Sequence, residues 1–270
     1  MNVKALILTG YGLNCDNETA YAFELASAKP SKVHISSLIN GDVKISDFQI
    51  MAFVGGFSWG DDHGAGVVQA VRLKTKIGHK IQEFIEKGNL IIGICNGFQT
   101  LVNMGILPAS DGDYTKRSVA LTFNDKGNFI DTWVSLKVNK NSNCIYTKNL
   151  DVIELPVRHG EGKFYADTSV IDNLLENNQV VLQYAQVDGT LAKGNYPYNP
   201  NGSVYDIAGI CDKTGRIFGL MPHPEAFIHP TNHPNWNRYK SMLSSEGKNI
   251  NDLPVHGIQI FKNAVSYFTS

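Results

Sequence analysis

The chain has 270 residues, of which 43% are hydrophobic and 18% are charged. This is the composition of an ordinary globular protein, and the length predicts one large domain, or one domain with an appendage. Lysine and arginine together number 24, against 25 for aspartate and glutamate, so the formal net charge is -1. The sequence therefore lacks the basic excess that binding to nucleic-acid phosphates requires.

The sequence also lacks the signals of membrane insertion and export. No stretch approaches the ~18 consecutive apolar residues of a membrane-spanning helix. The apolar run before Gly10 is shorter than the core of a signal peptide, which takes about 7 to 15 residues. We therefore expect a cytoplasmic protein that does not contact a membrane.

Four cysteines stand far apart, at Cys15, Cys95, Cys144 and Cys211, and none belongs to a Cys-x-x-Cys pair. This spacing argues against a disulfide framework and against a zinc site, so no metal is predicted. In a reducing compartment each cysteine is either buried packing material or a reactive thiol. Cys15, Cys144 and Cys211 have no histidine or basic partner nearby in sequence, and they are interpreted as small apolar filler.

Short apolar runs alternate with helical patterns over the first hundred residues. Strands are predicted at residues 3–9, 32–36, 49–54 and 90–94, and helices at residues 17–28, 77–87 and 96–104. This alternation is typical of βαβ units, which build a parallel sheet. The run at 90–94 is apolar throughout, as in a strand that is buried on both faces.

Beyond Pro108 the pattern changes to strands that follow one another. They are predicted at residues 133–138, 152–157, 180–185, 206–210 and 217–221, with helices at 170–177 and 258–268. The sheet is therefore expected to continue through hairpins. The predicted fold class is α/β, with a mixed, mostly parallel sheet flanked by helices. Residues 1–270 are expected to form one domain, on which residues 229–270 pack as a C-terminal extension.

A Gly-x-Cys-x-Gly pentapeptide, residues 93–97, joins the strand at 90–94 to the helix at 96–104. It is the thiol counterpart of the Gly-x-Ser-x-Gly nucleophile elbow, in which glycines allow the close approach of strand and helix. At a helix N-terminus the peptide dipoles favour a thiolate, and the free N–H groups can hold an oxyanion. Cys95 is therefore a candidate nucleophile, although a cysteine between glycines can also be inert packing.

The predicted strand at 49–54 ends in Gly55-Gly56-Phe57-Ser58. In a parallel sheet this segment lies at the same carboxyl edge as Cys95, where α/β folds bind ligands. The two glycines can present a backbone amide to such a site.

His223-Pro224-Glu225 supplies the groups that a thiolate nucleophile needs, a base and a residue that orients it. Residues two apart in an extended segment point to the same side, and Pro224 favours extension at His223. Glu225 is therefore expected to align His223. The alternative is a solvated loop histidine beside a surface carboxylate.

These segments resemble, in order, the motifs of one family of class I (triad) glutamine amidotransferases. The resemblance spans about residues 3 to 228 and is carried by Gly93-Ile94-Cys95-Asn96-Gly97-Phe98-Gln99, Gly55-Gly56-Phe57-Ser58, His159-Gly160-Glu161-Gly162-Lys163-Phe164, Tyr196-Pro197-Tyr198-Asn199-Pro200-Asn201-Gly202-Ser203 and Met221-Pro222-His223-Pro224-Glu225. The family is the glutaminase subunit of phosphoribosylformylglycinamidine synthase, also called formylglycinamide ribonucleotide amidotransferase. The resemblance implies the flavodoxin-like fold of class I glutamine amidotransferases.

The resemblance also implies the chemistry. Cys95 would attack the side-chain amide of glutamine, His223 would relay protons to release ammonia, and Glu225 would orient His223. A thioester to glutamate would then be hydrolysed. The family places oxyanion donors at the backbone amides of Gly56 or Phe57 and of Asn96. The positions that match its substrate-binding region are Ser58, Gln99, His159 and Glu161.

The chain contains no Gly-x-x-x-x-Gly-Lys-Ser/Thr loop, so an ATP-dependent amidation has no evident place in it. The resemblance implies a separate large synthetase subunit that uses ATP and magnesium to aminate formylglycinamide ribonucleotide in purine biosynthesis. It also implies a small bridging subunit, and no cofactor in this chain. Two alternatives remain open: a stand-alone thiol hydrolase of the γ-glutamyl hydrolase type, and a non-catalytic homologue of the same fold.

Overall fold

The computed structural model describes residues 2–269, so that Met1 and Ser270 of the predicted domain lie outside the described residues. The strands are β1 (Lys4–Thr9), β2 (Lys29–His34), β3 (Ile50–Phe53), β4 (Leu90–Ile94), β5 (Ala120–Phe123), β6 (Ile130–Val138), β7 (Val152–His159), β8 (Glu161–Tyr165), β9 (Val180–Ala185), β10 (Ile207–Cys211) and β11 (Ile217–Leu220). The helices are α1 (Asp16–Leu25), α2 (Ile35–Asn40), α3 (Val67–Glu86), α4 (Asn96–Met104), α5 (Thr168–Glu176), α6 (Trp236–Ser245) and α7 (His256–Ser266).

Nine of these strands form one mixed sheet, in the order β2-β1-β3-β4-β11-β10-β9-β6-β7. The strands from β2 to β11 run parallel, and those from β11 to β7 pair antiparallel. The predicted α/β fold with a mixed, mostly parallel sheet flanked by helices is therefore confirmed. Strands β5 and β8 form a separate two-stranded ribbon.

The centre of the sheet consists of β3, β4 and β11, and every residue in these strands is buried. The register pairs Phe53 with Gly93, and Ile94 with Leu220. The three strands therefore end at nearly the same level, as parallel neighbours do. The segments that follow them, which begin at Val54, Cys95 and Met221, emerge side by side at one edge of the sheet.

Helices cover this sheet in two packed pairs. Helix α3 contacts α4, which in turn contacts β3, β4 and β11. Helix α7 contacts α1 and the short turn Pro224–Ala226, and the rings of Phe23 and Phe261 meet edge to face with centroids 4.9 Å apart. The C-terminal helix thus supports the segment that contains His223. No helix within residues 2–269 is both long and apolar enough to cross a membrane.

Several boundaries differ from those predicted. Helix α3 begins at Val67, ten residues before the predicted start. This start was missed because the residue before it, Gly66, is in a left-handed conformation and no side chain caps the helix. Strand β2 begins at Lys29 and contains Pro30, which an edge strand tolerates because its outer N–H groups have no partner to lose. Residues 35–40 form α2, and α6, β5 and β8 were not predicted.

Candidate active site

Cys95 occupies the sharp turn between β4 and α4. Its backbone has φ 51° and ψ -108°, a left-handed conformation that is strained for a residue with a side chain. The residue is 5% exposed, and its Sγ lies 3.6 Å from the carbonyl oxygen of Arg158. This is the geometry expected of a nucleophile elbow, which holds one side chain above the strand ends.

The two positions that flank Cys95, Gly93 and Gly97, require glycine because neighbouring atoms pack closely against them. A Cβ at Gly97 would lie 1.9 Å from the carbonyl oxygen of Phe53, and a Cβ at Gly93 would lie 2.6 Å from a methyl carbon of Leu101. Neither position has room for a side chain. The pentapeptide therefore sets how closely α4 approaches β3 and β4, as the sequence predicts.

His223 and Glu225 form a buried pair just beyond β11. Nδ1 of His223 lies 2.6 Å from Oε1 of Glu225, and the two residues are 3% and 2% exposed. The main-chain N–H of His223 donates to the carbonyl oxygen of Pro156 at 2.8 Å, which fixes the segment against β7. The interpretation as a solvated loop histidine is therefore wrong.

The local conformation differs from the expectation in one respect. His223 is extended, but Pro224–Ala226 forms a short 3₁₀ turn instead of continuing the extended segment. The carboxylate of Glu225 reaches back from this turn to the imidazole. Proline at the first position of the turn is compatible with this shape, because its φ is also that of a helix start.

Cys95 and His223 interact through their charges. Burial opposes protonation of the imidazole, but the negative charges of Glu225 and Cys95 outweigh it and raise the pKa of His223 well above its usual value. A contact with the Cys95 side chain contributes to this raised pKa, and Nε2 of His223 has no partner at full hydrogen-bonding distance within residues 2–269. The structure thus brings together two residues that are 128 positions apart, with Nε2 free to exchange a proton.

Cys15 departs from the interpretation as apolar filler. It is the N-cap of α1, and its Sγ lies 4.0 Å from Nδ1 of His223 and 3.6 Å from Oδ1 of Asn14. Burial raises the pKa of the Cys15 thiol, so it is neutral at physiological pH. The partner is 208 residues away in the chain, which is why sequence proximity gave no signal. Cys144 and Cys211 are buried, as expected.

The backbone N–H groups predicted to hold the oxyanion differ in whether they are already engaged in a hydrogen bond. The N–H of Phe57 donates to the carbonyl oxygen of Gly12 at 2.9 Å, so it is already engaged. Gly56 has φ 144° and lines the cavity in front of Cys95. Asn96 is the first residue of α4, where backbone N–H groups have no acceptor within the helix. The geometry favours Gly56 over Phe57 as the partner of Asn96, and the oxyanion role of both stays a prediction.

The cavity in front of Cys95 is small, about 20 Å³, which is room for roughly one water molecule. Its walls include three of the four positions predicted to bind substrate, namely Gln99, His159 and Glu161. Ser58, the fourth, is buried but is not among the lining residues. Nε2 of Gln99 donates to the main-chain oxygen of Glu161 at 2.5 Å, which ties α4 to the start of β8.

His159 is a neutral wall of this cavity. Burial, reinforced by the charge of His223, lowers the pKa of His159 to about 3. Its Nδ1 lies 3.0 Å from Oδ1 of Asn124, to which it donates as N–H. A Cβ at Gly162 would lie 2.3 Å from the ring. The second glycine of the His-Gly-Glu-Gly segment is therefore explained by space for this imidazole.

Two charged residues in the cavity wall were not predicted, Asp61 and Arg158. Burial, reinforced by the charge of Glu161, raises the pKa of Asp61 to about 6, although Nδ2 of Asn96 donates to its Oδ1 at 2.9 Å. The guanidinium of Arg158 pairs with exposed Asp131 at 3.6 Å. Asp61 follows Gly55–Ser58 within the loop at the same sheet edge, and this position in the sequence was the available signal.

The family of this chain is shown by comparison with known proteins. The family described as "CobB/CobQ-like glutamine amidotransferase domain" matches residues 2–268. Phosphoribosylformylglycinamidine synthase subunit PurQ of Methanococcus maripaludis is 46% identical over 98% of this chain and 97% of that protein. PurQ of Dehalococcoides mccartyi is 48% identical over the same shares.

Solved structures extend the comparison to the fold. A chain in the structure of PurLQS from Thermotoga maritima is 30% identical, with a TM-score of 0.72 over 99% of this chain and 100% of that one. The glutaminase domain of Trypanosoma brucei CTPS, solved with acivicin, matches with a TM-score of 0.52 at 13% identity over 98% and 94%, which shows a shared fold alone. The resemblance inferred from the motifs is thereby confirmed, and the chain belongs to the PurQ family of glutamine amidotransferases.

Proposed function

We propose that this protein is the glutaminase subunit of phosphoribosylformylglycinamidine synthase in purine biosynthesis. It hydrolyses glutamine and delivers ammonia to a separate synthetase subunit, which converts formylglycinamide ribonucleotide to formylglycinamidine ribonucleotide. The observation that carries this proposal is the cysteine at a strained strand-to-helix turn beside a buried His223–Glu225 pair. Relatives named PurQ match this chain over nearly its full length, which supports the assignment.

The proposed reaction proceeds through a thioester. The thiolate of Cys95 attacks the side-chain amide carbon of glutamine, and the C–N bond breaks as the protonated His223 gives its proton to the departing ammonia. Neutral His223 then takes a proton from water, which attacks the thioester and releases glutamate. Glu225 supports both steps because its carboxylate holds the Nδ1–H of the ring and stabilises the imidazolium.

The backbone amides of Gly56 and Asn96 are the proposed oxyanion donors, each generally worth about 10² to 10³ in rate. Glu161 and Asp61 place two carboxylates in the wall of the cavity, and the repulsion between them contributes to the raised pKa of Asp61. A cation between them would relieve that repulsion. We assign this end of the cavity to the α-ammonium group of glutamine, with Gln99 lining the pocket.

The remaining proposals concern the assembly. Residues 1–270 form a single amidotransferase domain, with residues 229–270 as an extension that packs on it. The chain uses no cofactor of its own, while ATP and magnesium serve the large synthetase subunit. A small bridging subunit completes the complex, which is cytoplasmic. Support comes from a relative found in a structure named for PurL, PurQ and PurS together.

The proposal is tested by measuring the intact mass of the protein after incubation with a diazo-ketone analogue of glutamine. The protein is incubated both alone and together with the synthetase subunit. We expect one adduct on the native chain, suppressed by excess glutamine and absent from Cys95→Ala. Cys211→Ala is the matched control, because it removes a buried thiol elsewhere and should still be labelled.

Absence of an adduct under every condition would contradict the proposal and favour the non-catalytic homologue. Steady turnover of γ-glutamyl peptides by the isolated chain, together with labelling that the synthetase subunit does not change, would favour the stand-alone thiol hydrolase. Equal labelling of Cys95→Ala and the native chain would show that another thiol reacts.

A further inference from the structure

Three chemically different donor groups meet behind the nucleophile, in a cluster formed by Cys15, His223 and Glu225. One potential ligand atom from each lies within 4.8 Å of the other two. Sγ of Cys15 is 4.0 Å from Nδ1 of His223, which is 2.6 Å from Oε1 of Glu225. The cluster joins the start of α1 to the turn after β11. Its members are therefore held by two separately anchored parts of the fold.

A thiolate, an imidazole nitrogen and a carboxylate oxygen are the donor set that proteins use for Zn²⁺. A second observation points to a ligand in the same place. Oε2 of Glu225 is buried and has no hydrogen-bond partner within residues 2–269, although the residue is 2% exposed. A buried carboxylate oxygen without a donor is a free coordination site. Cys15 is less buried than the other two, which provides a way in for an ion.

We propose that Cys15, His223 and Glu225 form a Zn²⁺ site whose occupation switches off glutamine hydrolysis. Binding replaces the thiol S–H bond of Cys15 with a Zn–S bond and releases that proton to solvent. His223 releases its Nδ1 proton to solvent, binds through Nδ1 and keeps the proton on Nε2. Glu225 binds as a carboxylate, and water completes the four-coordinate shell that Zn²⁺ prefers.

Zinc binding and the orienting hydrogen bond exclude each other. With metal–ligand distances of about 2.0 Å in a tetrahedral shell, the nitrogen and oxygen ligands lie about 3.3 Å apart, whereas Nδ1 and Oε1 are 2.6 Å apart in the structure. The pair must separate, and the hydrogen bond to Glu225 is lost. A metal on Nδ1 also prevents the doubly protonated ring, so His223 cannot give a proton to departing ammonia.

Zinc binding can be measured without any activity, in the full-length chain, by competition with a chromophoric zinc chelator. We expect one Zn²⁺ per native chain, and an affinity at least about 10-fold lower in Cys15→Ser, since loss of supporting groups alone costs 10- to 100-fold at metal sites. Cys95→Ala and Cys211→Ala should both bind as the native chain does. With Co²⁺ in place of Zn²⁺, a thiolate-to-metal charge-transfer absorption should appear and be absent from Cys15→Ser.

Undiminished zinc affinity in Cys15→Ser, or loss of affinity in Cys95→Ala or Cys211→Ala, would overturn the assignment. The inhibitory effect rests on the proposed glutaminase activity, but the binding measurement does not. A chain that binds zinc through Cys15 and never hydrolyses glutamine would refute the proposed function and leave the metal site standing. An active chain whose turnover is unaffected by zinc bound at this site would refute the switch.

Discussion

Position 55 requires a glycine because His223 occupies the space that a Cβ would fill. Such an atom would lie 2.8 Å from Cε1 of His223 and 3.2 Å from Sγ of Cys15. We predict that Gly55→Ala displaces the imidazole and lowers kcat for glutamine hydrolysis about 100-fold, the cost of misplacing a catalytic group by roughly 1 Å. Steady-state glutaminase kinetics in the presence of the synthetase subunit measure this.

Gly78→Ala is the matched control, because a Cβ at Gly78 in α3 would meet a single side-chain atom of Lys74 at 4.0 Å. It should retain native kcat and gain up to about 1 kcal/mol of stability from helix propensity. If Gly55→Ala keeps native kcat while folding normally, the position of His223 does not depend on this glycine.

Protonation of Asp61 should make KM for glutamine depend on pH. Its pKa is about 6, so the carboxylate is charged above that pH and takes up a proton as the pH falls through it. Loss of one charge-assisted hydrogen bond, worth about 1.5 to 3 kcal/mol, should raise KM for glutamine about 10- to 100-fold. We predict a low, flat KM from about pH 7 to 8 and a rise below about pH 6.

Asp61→Asn separates this effect from the protonation of His223. The variant should have a raised KM at all pH values and no further step near pH 6, while the pH profile of kcat keeps its native shape. A KM in Asp61→Asn that matches the native value at about pH 8 would mean that Asp61 does not contact the ammonium group.

The sequence is informative at single positions where a local pattern carries the constraint. The glycines beside Cys95 and the spacing of His223 and Glu225 could be interpreted because both features are local. Cys15 and Asp61 were missed, since the burial of each and its contacts, with His223 and with Glu161 respectively, involve residues far away in the chain. Such contacts follow from the sheet order, which no short segment encodes.

At the level of elements, α7 acts as a support for the His223–Glu225 turn. A Cβ at Gly257 would lie 2.0 Å from the carbonyl oxygen of Pro224 and 2.3 Å from that of Phe227. We predict that Gly257→Ala forces α7 and the turn apart, costs about 1 to 3 kcal/mol of stability and lowers kcat. Thermal unfolding and glutaminase kinetics of the same preparation measure both effects.

Lys262→Ala on the same helix is the control, since Lys262 is exposed and its replacement should change neither quantity. A Gly257→Ala protein that loses stability with unchanged kcat would show that α7 supports the fold without positioning the turn.

Helices and strands were predictable where apolar periodicity was strong. The central strands 49–54, 90–94 and 217–221 were recognised because they are almost entirely apolar. Helix α6 was not, because it has no buried residue and follows a segment rich in asparagine and proline. The β5–β8 ribbon pairs segments about 40 residues apart and is only partly buried, so neither strand shows a distinct pattern.

For the whole molecule, the small cavity at Cys95 has a functional implication. A volume of about 20 Å³ holds about one water molecule, and the side chain of glutamine is several times larger. We therefore expect the cavity to widen when glutamine binds. We predict that the synthetase subunit stabilises the open form and raises kcat/KM for glutamine hydrolysis about 5- to 150-fold, the usual range of coupling between sites.

The measurement compares glutamate production by the isolated chain and by the chain with saturating synthetase subunit, with Cys95→Ala as the background. Equal kcat/KM in the two preparations would show that glutamine alone opens the cavity. In that case the partner receives ammonia without controlling its release.

The position of the active-site segments in the sheet also determines how the site is lost. Strands β3, β4 and β11 lie together in the interior of the nine-stranded sheet and are buried throughout. Amide hydrogens in such strands exchange with solvent only when the entire fold opens. Residues 50–53, 90–94 and 217–220 should therefore be the last to take up deuterium. Because Gly55, Cys95 and His223 follow closely after these strands, we expect that opening of the central sheet always removes the catalytic geometry as well.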